Sequence, residues 1–99
     1  MARRRQVIVR VDAAADVDEA YRWYEARRTG YGEELLVQIG ALLEQISELP
    51  EAFPIIHRQT RRALLPRFPY GIFYRLVDDI VVIVGCMHGR RHPRRWKRR

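Results

Sequence analysis

Tyr70-Gly71-Ile72-Phe73-Tyr74-Arg75-Leu76-Val77-Asp78-Asp79-Ile80-Val81-Val82-Ile83-Val84-Gly85-Cys86-Met87 decides how the rest of this chain is read. Two apolar runs, 70–77 and 80–87, flank Asp78-Asp79, which predicts a tight turn between antiparallel strands, although Asn-Gly would be the stronger pair. Residues 80–84 are apolar at every position, the pattern of a strand covered on both faces or central in its sheet. Tyr70, Ile72, Tyr74 and Leu76 share one strand face, so Tyr74 reads as core. Upstream, 60–65 predicts a further strand, and Pro66 and Pro69 put the link between the two at an edge or bulge. Arg61 and Arg62 there must point to opposite faces, so only one can serve any one site. The segment 50–59, marked by Pro54, reads as irregular.

Toward the N-terminus the hydrophobic period changes. Val7, Val9 and Val11 alternate, predicting a first strand. Over 13–28, Val17, Ala20, Tyr21 and Tyr24 fall at helical spacing. Asp12 or Asp16 can cap this helix, Asp16 with Glu19 resembling a capping box, and Gly30 suits the left-handed position past its end. A second helix over 33–49 carries Leu35, Ile39, Leu42, Ile46 and Leu49, widened by Leu36 and Leu43, and Pro50 stops it. Burying such a stripe contributes roughly 10 kcal/mol gross, at about 1.5–3 kcal/mol per large side chain, so the helical hairpin needs cover. The order predicts an α+β fold: an N-terminal strand, then an antiparallel helical hairpin packed on a mainly antiparallel four-stranded sheet. One domain over 1–99 is expected, ending in a basic tail at 91–99 with freedom to move.

Charge is segregated along this frame. The chain of 99 residues carries a net +7, of which +4 lies in 1–11, −7 in 12–51 and +10 in 52–99. The last ten residues hold seven Arg or Lys and no acid. Such a run is either a solvated tail or a polyanion contact; Pro93 and Trp96, and the basic residues upstream, favour nucleic acid or an acidic protein. No apolar run reaches membrane-span length, and 7–11, broken by Arg10, is no signal-peptide core, so no membrane role is expected. The lone cysteine, Cys86, reads as a small core residue in a reducing compartment, most naturally the cytosol.

Several chemistries are disfavoured. His57, His88 and His92 lack a carboxylate or thiolate at ligand spacing, so no metal and no cofactor is expected. Gly30-Tyr31-Gly32 has neither the strand nor the Lys-Ser/Thr of a phosphate loop, and Ser47, the only serine, lies on a helix. A cationic constellation remains: Arg61, Arg62 and Arg67, then Tyr70, Tyr74 and Arg75, then His88, Arg90, Arg91 and His92. His88 can exchange a proton near neutral pH, arginines can hold a phosphate, and an aromatic ring such as Trp96 can stack on a base. That equipment suffices for metal-free RNA cleavage through the 2′-hydroxyl. The plainer reading is a structural or surface histidine at a strand end.

Arg62-Ala63-Leu64-Leu65-Pro66-Arg67-Phe68-Pro69-Tyr70-Gly71-Ile72-Phe73-Tyr74-Arg75, the 80–84 run, His88-Gly89-Arg90-Arg91-His92-Pro93 and Ala20-Tyr21-Arg22-Trp23-Tyr24-Glu25 together resemble the RelE/ParE toxins over nearly the whole chain. The resemblance implies a cytoplasmic toxin of a type II toxin–antitoxin or plasmid-stabilisation system. It would inhibit growth and form a hetero-oligomer with an acidic, partly disordered antitoxin. RelE-like members cut messenger RNA on the ribosome; ParE-like members poison DNA gyrase. Gly71 stands where the nuclease branch tends to carry a functional arginine, Arg90 at a second arginine position, and Trp96 near its tail tyrosine. The pattern is closer to the ParE branch, with gyrase or another essential protein as target. If the chain cleaves RNA, the resemblance implies His88 as acid/base with Arg90 and Arg67 on phosphate. Arg61, Arg62, Arg91, Arg94, Arg95 and Trp96 are expected to meet nucleic acid or target, and Tyr21, Tyr24, Leu35 and Leu42 the antitoxin.

Overall fold

The computed structural model describes residues 4–88 and 93–99. Five strands form one sheet in the order β1-β5-β4-β3-β2, with β1 at Val7–Val9, β2 at Ile55–His57, β3 at Thr60–Leu64, β4 at Tyr70–Val77 and β5 at Ile80–His88. Only the β1–β5 pair is parallel. The predicted turn is present, with Asp78 and Asp79 both left-handed (φ 49° and 67°), as a two-residue hairpin link requires. The sheet has one strand more than its sequence predicts. β2 is three residues long, lies at an edge, and joins β3 through Arg58-Gln59, which lacks the glycine that would have announced a turn.

Helix α1 spans Val11–Arg27 and α2 spans Tyr31–Glu48, joined across Gly30 at φ 90°. At the joint, the Glu25 carboxylate accepts hydrogen bonds from the Gly30 and Gly32 N–H groups (3.0 Å each), supplying α2 with the cap that its own sequence lacks. Ala13, Ala20 and Tyr24 of α1 and Leu35, Ile39, Leu42 and Ile46 of α2 pack on Ala63, Ile72, Tyr74, Val81, Ile83 and Cys86 of the sheet. Leu49, expected in that stripe, is 59% exposed because the helix ends one residue earlier. Tyr74 is fully buried, and its hydroxyl donates to the Pro50 carbonyl at 2.5 Å; burial pushes its pKa up to about 12.

The far face of the sheet is covered too. Phe73, Val84 and Met87 form a second apolar cluster with Trp96. Trp96 belongs to a short helix, α3, at Pro93–Arg98, and its ring stacks on Phe73 with centroids 5.0 Å apart. The described part of the tail, 93–99, is therefore docked rather than free. An aromatic anchor, Trp96, holds one side of it.

Candidate functional site

The strand ends of β4 and β5 and the side of α1 enclose a groove of about 370 Å³. Trp23, Tyr24, Tyr70, His88, Glu19 and Arg95 are among its lining residues. His88 sits opposite Tyr70 in the β4–β5 ladder, and the two rings meet edge-on with centroids 6.1 Å apart. Tyr24 is locked from below by edge-on contacts with Tyr31, Phe68 and Tyr70, and burial raises its pKa. The groove thus offers aromatic walls, an imidazole and charges of both signs. It suits the side chains of a bound polypeptide better than a bare polyanion.

Of the candidate cleavage residues that are described, His88 lines this groove and Arg67 does not. Arg67 lies in the turn between β3 and β4, its N–H donating to Gln38 of α2 at 3.4 Å, and it does not line the groove that holds His88. Gly71 offers no side chain, and its position lies under the stem of Arg62, whose Cγ would be 3.1 Å from an added Cβ. Arg90 and Arg91 lie outside the described residues. Among the described residues, Arg95 is the one expected cation that joins His88.

The other predicted residues divide by face. Arg61 and Arg62 point to opposite sides of β3, as the strand period requires. Arg61 is consumed structurally: its Nη1 donates to the carbonyls of Phe53 (2.6 Å) and Glu51 (3.3 Å), tying β3 to the segment after α2. Arg94 and Arg95 are exposed on α3. Trp96, expected to stack on a base, is only 7% exposed and already stacked on Phe73, which corrects that expectation. Leu35 and Leu42, expected to meet a partner, are 0% and 6% exposed, because the sheet takes the stripe that a partner was to cover. Tyr24 is likewise core, while Tyr21 is half-buried with its hydroxyl 3.4 Å from Glu33.

Asp16 carries a role that the sequence reading assigned wrongly. It does not cap α1, which begins five residues earlier, but stands buried within it. Its carboxylate accepts the Cys86 N–H at 3.0 Å and a two-pronged ion pair from Arg99, at 2.5 and 3.3 Å. Arg99 also donates to the Val84 carbonyl (3.2 Å), beside the bulge where β5 gains a residue opposite Phe73 and Tyr74. The available signal was an acid on the apolar stripe of α1, in line with Ala13, Ala20 and Tyr24. Cys86, beside this pair, has its pKa pushed up to about 12 by burial first and Asp16 second, so it stays a neutral thiol.

With this geometry in hand, the sequence matches the family described as "ParE toxin of type II toxin-antitoxin system, parDE" over residues 7–93. The chain belongs to the ParE toxin family. Similar to it are the Toxin ParE2 proteins of Mycobacterium tuberculosis strains CDC 1551 / Oshkosh and ATCC 25618 / H37Rv, each 27% identical over 79 residues, 79% of this chain and 75% of theirs. A solved structure described as "Chromosomal ParDE TA system from P. aeruginosa" superposes with a TM-score of 0.63, covering 85% of this chain and 95% of that one at 22% identity. That likeness shows the ParE fold: two helices on a mixed sheet after an N-terminal strand. No described helix of this ParE-family chain is long and apolar enough to cross a membrane.

Proposed function

We propose that this toxin acts by binding an essential protein, DNA gyrase, rather than by cutting RNA, and that an acidic, partly disordered antitoxin holds it silent. The separation of the described cleavage candidates supports this reading: His88 shares its groove with acids and aromatic rings, Arg67 does not line that groove, and Gly71 offers no side chain. Cleavage needs an acid/base and phosphate-holding cations within hydrogen-bond reach of one another. For the antitoxin, the exposed apolar side of the hairpin offers Trp23, Leu36 and Val37, at 48%, 37% and 70% exposure, in place of the buried leucines. An amphipathic segment lying there would cover apolar surface, with its acids reaching toward α3.

Two assays test the target. Purified toxin added to gyrase is expected to block DNA supercoiling at near-stoichiometric amounts, and induction in cells to cause DNA breaks and filamentation. The alternative, a ribosome-dependent ribonuclease, draws on His88 and Arg95 sharing one groove. It predicts cut messages within minutes of induction and loss of toxicity in His88→Ala. Supercoiling untouched while messages are cut would overturn the gyrase reading.

A further inference from the structure

A second cleft, about 500 Å³ in volume, opens on the far side of the molecule between the β2–β3 turn, β4 and α3. Its walls are His57, Arg58, Thr60, Arg75, Lys97 and Arg98, with Gln59 and Arg99 beside them. Every lining residue is polar or charged, and none is acidic. Arg99 is already engaged by Asp16, which leaves four cations. Among the described residues, no carboxylate lies within ion-pair distance of Arg58, Arg75, Lys97 or Arg98.

The cleft is also pre-formed. α3 is fixed from one side by Trp96 on Phe73 and at its end by Arg99 on Asp16. Arg58 sits at φ 52°, a backbone conformation that favours glycine or asparagine, so an arginine is kept there against its own preference. Four like charges held together by such means await a multivalent anion.

We propose that this cleft binds the phosphodiester backbone of duplex nucleic acid, without reading its sequence. Arginine and lysine donors suit phosphate oxygens at several adjacent positions. An acidic peptide would also bring anions, but the wholly polar lining gives its apolar side chains nothing to grip. Single strands are disfavoured because Trp96, the ring on which a base could stack, is buried on Phe73. The site is separate from the groove of His88, so the proposal stands whichever protein the toxin poisons.

The test uses the full purified chain and fluorescent duplexes of roughly 20 base pairs, DNA and RNA, in two unrelated sequences, read by anisotropy. Equal affinity for the two sequences is expected. Raising salt from about 50 to about 200 mM should weaken binding on the order of 100-fold, as four phosphate contacts require. Arg58→Gly, which removes a cation and relaxes the turn, and Arg75→Ala should together weaken binding by tenfold or more, while Arg22→Ala leaves it unchanged. DNA and RNA duplexes binding alike would support backbone recognition, and preference for one would identify the source of the phosphates. No duplex binding, binding untouched by the cleft variants, or binding only of a polyglutamate peptide would overturn the proposal. A gyrase assay that fails while the duplex binds would sink the target alone.

Discussion

On and around the helical hairpin, arginines have carboxylates of their own: Arg4 with Glu44, Arg5 with Asp79, Arg22 with Asp18 and Arg28 with Glu34. Across the sheet, Arg58, Arg75, Lys97 and Arg98 gather round one cleft with no such partners among the described residues. Exposed pairs of the first kind each contribute about 0–1 kcal/mol and mainly cancel one another's field. Cations of the second kind repel, and their field reaches outward to attract an oppositely charged partner. The difference teaches that net charge alone says little about binding. Whether the acids sit among the cations decides it.

Arg99 bridges the two regions by ion pairs to Asp16 and, more loosely at 3.7 Å, to Asp12, and breaking the Asp16 pair should have the largest effect. Asp16→Ala leaves the Cys86 N–H without its acceptor and Arg99 with only Asp12 at 3.7 Å and the Val84 carbonyl, and is expected to cost about 3–4 kcal/mol in denaturant unfolding. A loss near that of a surface pair would show that Arg99 does not fasten α3 to α1. Next comes Trp96→Ala, with an expected loss of about 3 kcal/mol and release of α3 from Phe73, read as rapid amide exchange over 93–99. Protected amides in that variant would mean that the anchor lies elsewhere.

How much of this could be read from the letters follows from range. The hairpin at Asp78-Asp79, the left-handed Gly30 and the apolar stripe of α2 are local patterns, and each predicted its structure. Residues 55–57 have too few positions for a period to show, and their turn is built on Arg58 rather than glycine. The pairings Asp16–Arg99 and Phe73–Trp96 join residues distant in sequence, so neither residue type nor spacing announces them. The same limit explains the candidate site. The cationic segments were visible, but their joining into a cleft depends on how α3 docks.

Two smaller effects sharpen the contrast between core and cleft. The Tyr74 phenol, with pKa raised by burial from 10.0 to about 12, favours the fold while protonated. That stability is present below pH 10 and lost as pH rises through the folded value, about 2–3 kcal/mol in all. Tyr74→Phe should flatten the alkaline decline, at a cost near 1 kcal/mol at neutral pH from the lost bond to Pro50; an unchanged alkaline limb would place the titration elsewhere. Smallest is Arg58→Gly, expected to raise stability by about 1 kcal/mol by relieving its left-handed backbone. A destabilised variant would show that the arginine supports the turn instead.

The most direct measurement compares growth arrest after induction of two charge-removed toxins. One lacks the cleft cations, as Arg58→Gly with Arg75→Ala and Arg98→Ala; the other lacks paired cations, as Arg4→Ala with Arg22→Ala and Arg28→Ala. With both folded, the cleft variant should lose its toxicity and the paired variant should keep it. Undiminished arrest by the cleft variant would contradict a part for the far-face cations in the toxin's action.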